Sequence, residues 1–118
     1  MSKKTMKAFD ALQEAQKIAF APFIFQATVS LRNLGILDFI FDNNASGGVT
    51  ISEISKGLNI SDYGLSVLLE VAESSEIVEQ NDAGKYELTK IGYFLNYNQM
   101  TAANINFTQD VCYQGLFH

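Results

Sequence analysis

The sequence predicts a mainly α-helical domain with one small β-hairpin, arranged as a winged helix-turn-helix with extra helices at its N- and C-terminal ends. Three observations predict it: apolar residues at helical spacing through most of the chain, two short helices joined by a tight turn, and two alternating runs around a glycine-containing turn. At 118 residues the chain has the length of a single domain.

The N-terminal region is predicted to form two consecutive helices. Apolar residues recur three or four positions apart from Thr5 to about Ala21, which indicates the first helix. Pro22 is typical of the first turn of a helix, where its missing N–H costs nothing, so a second helix is predicted from Pro22 to Leu34. Gly35 tolerates a left-handed backbone and is expected to end that helix.

The helix-turn-helix is predicted over residues 50–75, after a short helix at 36–41 and a polar loop at 43–48. Its first helix begins with a capping-box pattern, in which the Thr50 hydroxyl accepts from the Glu53 N–H and the Glu53 carboxylate reaches back. Its second helix is predicted to begin at a polar cap and to carry apolar residues at helical spacing. These are the cap candidates Ser61 and Asp62, and the apolar residues Leu65, Leu68, Leu69 and Ala72.

The wing is predicted as a β-hairpin over residues 76–88. Two alternating runs flank Asn81-Asp82-Ala83-Gly84, which supplies a glycine where a positive φ is needed. Thr89 is expected to cap a short helix after the hairpin. A last helix is predicted from about Met100 onward, and its pattern is still helical when the sequence ends.

The charge balance disfavours nucleic acid and anionic membrane as partners. The chain has 13 Asp and Glu against 8 Lys and Arg, for a net charge of −5, and phosphate binding needs clustered cations. Between Gly57 and Gly84 there are six carboxylates and no Lys or Arg, so the predicted recognition helix is acidic. It resembles a DNA-binding helix-turn-helix in shape but not in charge. Its outward residues are predicted to be Ser61, Asp62, Tyr63, Ser66, Glu70 and Glu73.

The location is predicted to be cytoplasmic. The basic start runs into acidic residues rather than an apolar block, so it does not resemble a secretory signal. The most apolar stretch, residues 18–41, is interrupted by proline and polar residues and is not interpreted as a membrane span. A single cysteine, Cys112, fits a reducing compartment.

No catalytic, cofactor-binding or metal-binding residue is predicted in this chain. His118 is the only histidine and has no orienting partner close in sequence, so a surface position is favoured over a general base. Cys112 has neither a second thiol for zinc nor a His or Asp arrangement, so a small apolar filler is the favoured interpretation. The carboxylates are interpreted as a solvated face.

The phenylalanines near the N-terminus are the strongest positive signal. Six of the nine fall within the first 41 residues, and each contributes about 1.5–3 kcal/mol when fully buried. The helix predicted from residue 22 is apolar around most of its circumference, so one core cannot cover it, and a patch left exposed invites association. A compact monomer that buries them all is the alternative. The predicted dimer interface comprises Met6, Phe9, Leu12, Phe20, Phe23 and Phe25.

Several segments together resemble the N-terminal dimerisation domain of the S-adenosylmethionine-dependent small-molecule O-methyltransferases, which include the caffeic-acid-type plant enzymes and bacterial relatives. The resemblance covers nearly all of residues 8–118. It departs from the family at Glu70, where a basic residue is common, and at Ser75-Glu76, where a glycine is usual. The segments that carry it are Leu34-Gly35-Ile36-Leu37-Asp38, Thr50-Ile51-Ser52-Glu53-Ile54, residues 65–69, and Tyr86-Glu87-Leu88-Thr89 with Gly92 and Leu95.

The resemblance implies a homodimer whose N-terminal domain helps to cover the pocket for a small-molecule methyl acceptor. The methyl donor, S-adenosylmethionine, is expected in a separate Rossmann-like domain that is absent from this chain, since the sequence contains no G-x-G-x-G. Residues 1–21 are then the dimerisation helix, 22–99 the winged-helix domain and 100–118 the start of a linker helix to the catalytic domain. Phe107, Cys112 and Tyr113 lie on that helix and are candidates to line the substrate, although core packing explains them as well.

Two other functions remain open. A stand-alone winged-helix transcriptional regulator is favoured by the predicted fold and by the length, and is opposed by the acidic recognition helix. A protein-docking winged helix is the other, because an acidic face can meet a basic partner.

Overall fold

The computed structural model describes residues 5–114, and side chains only as far as Val111. Within these residues the fold is mainly helical with one two-stranded antiparallel sheet, so the predicted class of a mainly α-helical domain with a small β-hairpin is confirmed. The elements are α1 (Ala8–Asn33), α2 (Ile36–Asp42), α3 (Ile51–Leu58), α4 (Asp62–Ser74), β1 (Val78–Gln80), β2 (Tyr86–Leu88), α5 (Lys90–Tyr97), α6 (Gln99–Phe107) and a π-helical segment (Thr108–Gln114).

The N-terminal region forms one helix rather than two. α1 runs without interruption through 26 residues and contains Pro22, so the predicted helix boundary at Pro22 is wrong. A proline inside a helix leaves the carbonyl four residues earlier, here that of Ile18, without its hydrogen bond. Ile18 is 77% exposed, so water can hydrogen-bond this carbonyl and the turns on either side continue the helix. The predicted division of the chain between residues 21 and 22 therefore falls inside a helix.

The corner between α1 and α2 is made by Gly35, as predicted. Its backbone lies in the left-handed region, with φ 79°, and Leu34 completes α1 through a hydrogen bond from its N–H to the Ser30 carbonyl. The turn directs α2 back over the second half of α1. Ile36, Leu37 and Ile40 are consequently fully buried.

The capping of α3 and α4 confirms the pattern predicted for the two helices. The Glu53 N–H donates to the Thr50 hydroxyl oxygen at 3.1 Å, and the Thr50 N–H donates to the Glu53 carboxylate at 3.2 Å. Asn59 ends α3 in the left-handed region, with φ 55°. The hydroxyl oxygen of Ser61 then caps α4 by accepting from the Gly64 N–H at 3.1 Å.

The hairpin pairs Val78 with Leu88 and Gln80 with Tyr86, so its strands are shorter than the predicted wing of residues 76–88. The turn is ordered by Asn81, whose side-chain oxygen accepts from the Ala83 and Lys85 N–H groups at 3.0 Å. Asn81 thereby closes the turn that the glycine pattern predicted.

Thr89 and Gly92, which belong to the family-like pattern, have structural roles. The Thr89 hydroxyl caps α5 by accepting from the Gly92 N–H at 3.1 Å, and it donates to the Glu76 carbonyl at 2.6 Å. A Cβ atom at Gly92 would collide with the Ile77 carbonyl oxygen and the Leu88 side chain. The pattern therefore fixes α5 against the hairpin.

The core is formed by α1 from Ala27 onward together with α2, α3, α4 and the hairpin. We call this set of elements the body. No single helix among residues 5–114 is long and apolar enough to cross a membrane, although α1 and α2 taken together, bent by 63°, meet the criteria of length and composition. The largest fully buried side chains are Leu31, Ile36, Leu37, Ile40, Val49, Ile54, Leu65, Leu69 and Val78.

The last helix begins at Gln99, one residue before its predicted start, and Asn98 caps it by accepting from the Thr101 N–H at 2.9 Å. It changes to π-helical geometry at Thr108. A hydrogen bond of 3.2 Å between the side chains of Gln26 and Gln109 joins this segment to α1.

Candidate dimerisation surface

The first sixteen residues of α1, Ala8–Phe23, form an exposed segment that we call the arm. Every one of these residues is exposed, and at 1.5 Å per residue the arm is about 24 Å long. The same helix is anchored further along, where Ala27, Thr28 and Leu31 are buried in the body. One continuous helix is therefore exposed to solvent in its first part and buried against the body in its second part.

Four large apolar side chains of the arm form a stripe along one face. Phe9, Leu12, Phe20 and Phe23 are 68, 56, 59 and 58% exposed. At 100° per residue, these four positions fall within roughly 80° of the helix circumference. Apolar surface of this kind marks a site of association.

The charged residues of the arm lie away from the stripe. Asp10, Glu14 and Lys17 fall on the opposite half of the helix at 100° per residue, and Lys17 pairs with Glu14 at 3.2 Å within the helix. A partner that packs on the stripe therefore meets no charge from these residues.

The structure treats the six predicted interface residues in two ways. Phe9, Leu12, Phe20 and Phe23 lie together on the stripe, and the alternative of a monomer that buries all of the early phenylalanines is wrong. Met6 is half-buried ahead of the helix. Phe25 is half-buried on another side of α1, where it lines an apolar cleft of about 310 Å³ between α1, α5 and α6.

Sequence reasoning missed a second exposed apolar region, an aromatic cluster of Phe41, Tyr93 and Tyr97. Their ring centroids lie 5.0–5.2 Å apart, beside an open groove of about 690 Å³ along α5 and the start of α6. Phe41 is more than fifty residues from its partners, so no local pattern could reveal the contact.

Asp38, the last residue of the Leu34–Asp38 pattern, joins Tyr97 of this cluster to α2. Its carboxylate accepts from the Tyr97 hydroxyl at 2.7 Å and from the Asn96 side chain at 2.8 Å. Burial and, next, the hydrogen bond to Asp38 raise the pKa of Tyr97 to about 12. The contact links α2 to α5.

The predicted substrate-lining residues are only partly described. Phe107 is 62% exposed near the end of α6. The side chains of Cys112 and Tyr113 lie outside the described residues, as does His118. Lining of a substrate by these residues stays a prediction.

The outward residues predicted for the second helix of the helix-turn-helix are all exposed on α4. The face is acidic, with Asp62, Glu70 and Glu73 accompanied by Tyr63 and two serines. Among the residues that the structure describes, no group of three or more His, Cys, Asp and Glu is placed to hold a metal ion.

These features define the class of the protein: a helical domain with an exposed apolar helix face. The chain belongs to the family of the Dimerisation2-like domain, whose model matches residues 12–86. The predicted resemblance to a dimerisation domain is thus confirmed. No curated protein matches the chain in sequence.

Solved structures share the fold at low sequence identity. LepI in complex with SAM has a TM-score of 0.69 and 17% identity, with 89% of this chain and 25% of that chain covered. The S-adenosylmethionine-dependent methyltransferase SibL, in its apo form, has the same TM-score and identity, with 87% and 30% covered. A structure described as a pericyclic reaction enzyme matches equally well. The chain therefore spans about a quarter to a third of the length of these proteins.

The described residues do not fit a donor site for S-adenosylmethionine. Such a site needs a glycine-rich loop between a strand and a helix, whereas Gly35, Gly47, Gly48 and Gly84 lie in turns with positive φ. Gly57 faces Phe39, and Gly92 packs on the hairpin.

Proposed function

We propose that this chain is the dimerisation domain of an S-adenosylmethionine-dependent small-molecule methyltransferase. In this proposal a separate domain binds the methyl donor and transfers the methyl group, and the winged-helix domain helps to cover the pocket of the acceptor in the cytoplasm. Membership of a dimerisation family supports the proposal, as does the shared fold with a methyltransferase about three times as long.

The observation that carries the proposal is the stripe on the arm. More than half of the surface of each of its four side chains is exposed to water in the single chain. Burying apolar surface contributes about 25 cal/mol per Å², so an isolated arm is less favourable than a covered one. A second copy presents the same stripe and gives an isologous pair, the commonest arrangement of homodimers.

Sedimentation equilibrium of the 118-residue chain tests the proposal. We expect a dimer at micromolar concentration and a monomer for the double variant Phe9→Glu/Phe23→Glu, because association would bury four carboxylates without partners. Tyr63→Glu is the matched control: Tyr63 is an 80% exposed aromatic residue on α4, away from the stripe. A monomeric parent chain, or a dimer unaffected by the double variant, contradicts the proposal.

Titration with S-adenosylmethionine tests the division of labour between domains. We expect no saturable heat from the chain alone, because its glycines form no donor loop. Saturable binding by this chain would move the donor site into the dimerisation domain and overturn that part of the proposal.

The order α3, turn, α4 and hairpin supports a winged-helix regulator as the second candidate function. The exposed carboxylates of α4 oppose it, because a phosphate backbone would repel them. A gel-shift titration at low salt separates the two candidates. Salt-sensitive binding of duplex DNA would favour the regulator, and no shift is expected from a dimerisation domain.

A further inference from the structure

The stripe has the same spacing in both directions along the helix. Phe9, Leu12, Phe20 and Phe23 lie seven and four residues on either side of Gln16, so the spacings through the five positions are three, four, four and three. At 100° per residue Gln16 also falls at the angular centre of the stripe. It is exposed, like the four apolar residues around it.

This symmetry matches the symmetry of an antiparallel helix pair. A twofold axis perpendicular to two antiparallel helices places each residue opposite the one that lies equally far on the other side of the axis. With the axis at Gln16, position 9 of one copy faces position 23 of the other, and position 12 faces position 20. Each large apolar side chain then meets another large apolar side chain.

We propose that two copies of the chain pair their arms antiparallel about a twofold axis at Gln16. Phe9 packs on Phe23 of the second copy, Leu12 packs on Phe20 of the second copy, and the two Gln16 amides meet at the axis. This register rests on the proposed dimerisation function and adds to it the surface used and the way the copies are aligned.

Gln16 suits the position on the axis. A primary amide has both an acceptor oxygen and two donor hydrogens, so two copies can hydrogen-bond each other across the axis. A single polar residue within an apolar seam selects register, because any shifted alignment buries the amide against apolar side chains without a partner. Within the roughly 80° that the stripe spans, Gln16 is the only polar side chain of residues 8–23, and Gln13 lies about 20° beyond its edge.

Charge favours the antiparallel arrangement over the parallel one. Each arm carries its body at its C-terminal end, so parallel arms bring the two bodies to the same end and antiparallel arms separate them. Each chain has a net charge of −5, and separation reduces the repulsion between them. The helix dipoles of antiparallel arms also attract.

Disulfide cross-linking of the full 118-residue chain tests the register. In a Cys112→Ser background, Gln16→Cys places two thiols on the axis, within the 4.4–6.8 Å between Cα atoms that a disulfide usually spans. We expect most of the Gln16→Cys protein to migrate as a covalent dimer on a non-reducing gel after mild oxidation. The Gln13→Cys thiols are offset by about 9 Å along the axis at 1.5 Å per residue, so this matched glutamine variant should cross-link at least tenfold more slowly.

Two further variants distinguish the alternatives. Phe9→Cys alone should not cross-link, whereas Phe9→Cys mixed with Phe23→Cys should give a covalent heterodimer. Self-cross-linking of Phe9→Cys would show parallel arms and overturn the proposal. A dimer in sedimentation whose Gln16→Cys thiols stay free would also overturn the register and would leave the dimerisation function intact. In one such dimer the stripe of one copy would lie in the cleft near Phe25 of the other copy. A monomer would overturn both.

Discussion

The two halves of α1 are alike in sequence character and opposite in environment. Leu12 in the arm is 56% exposed, whereas Leu31, five turns further along the same helix, is fully buried. Both are leucines in a continuous helix with apolar neighbours three or four residues away. The difference arises from what lies beside the helix, since α2 and α4 pack only on its second half.

This contrast separates two uses of apolar residues. In the body they close a core around which one chain folds. In the arm they remain exposed on a single chain, and in the proposed dimer their contribution to free energy depends on a second molecule. Mutations in the body should therefore change the free energy of unfolding, and mutations in the arm should change the dissociation constant of the proposed dimer.

The largest effect is expected for the matched pair Leu31→Ala and Leu12→Ala. Truncating the buried Leu31 should lower the free energy of unfolding by about 2–5 kcal/mol. Truncating the exposed Leu12 should change it by less than about 0.5 kcal/mol when the chain is monomeric. Urea unfolding in the most dilute measurable solution checks both. Equal losses would contradict the separation of arm and body.

The next effect concerns the dimer alone. Phe20→Ala should raise the dissociation constant of the dimer about tenfold to a hundredfold, because each dimer loses two aromatic contacts and 1.4 kcal/mol corresponds to a factor of ten. A dilution series in sedimentation velocity measures it. Tyr63→Ala is the control and should leave the constant unchanged, and a similar shift in both variants would argue against the stripe.

A smaller effect, on the free energy of unfolding only, is expected from a substitution at Glu76 in the body. Glu76 follows α4 with φ 64°, a left-handed backbone that costs a residue with a Cβ atom about 1 kcal/mol relative to glycine. Glu76→Gly should therefore raise the free energy of unfolding by up to about 1 kcal/mol and leave dimerisation unchanged. Glu76→Ala keeps the Cβ atom and serves as the control. A gain of the same size from alanine would assign the effect to the lost charge.

The smallest effect is a pH dependence at the start of α3. Hydrogen bonds from the Thr50 backbone N–H and then its hydroxyl hold the pKa of Glu53 below its ordinary value of 4.5. A lowered pKa in the folded state means that the charged form stabilises the fold above pH 4.5 and that this contribution is lost as pH falls through the lower value. Glu53→Gln should be less stable than the parent at neutral pH, and the gap should close under acid. Thermal unfolding at several pH values measures it, and a constant gap would contradict the assignment.

Much of the body could be predicted from local pattern. The capping box at Thr50, the left-handed Gly35 and the turn at Asn81 each depend on residues within four positions of one another, so their geometry follows from backbone chemistry. The boundary at Pro22 was predicted wrongly by the same reasoning. Local preference for a helix start was outweighed by helical turns on both sides and by solvent beside Ile18.

The candidate surface could be predicted only in part. Composition indicated that the early phenylalanines exceed what one core can hold, and four of the six predicted residues share the stripe. It did not distinguish Phe23 from Phe25. Nor did it distinguish Phe39 from Phe41, although Phe39 packs against the core and Phe41 joins the aromatic cluster. Residues two apart on a helix point in different directions, and which direction is covered depends on distant elements.

By itself the sequence determined where helices are capped, where the chain turns, and that the N-terminal region carries more apolar surface than one core can hold. Those properties arise from backbone hydrogen bonding and from the total amount of apolar surface, which are local or additive. Only the tertiary structure decided which half of α1 is buried and that Asp38 meets Tyr97. Such contacts join segments far apart in the chain, and their positions follow from how the elements pack rather than from any neighbouring residues.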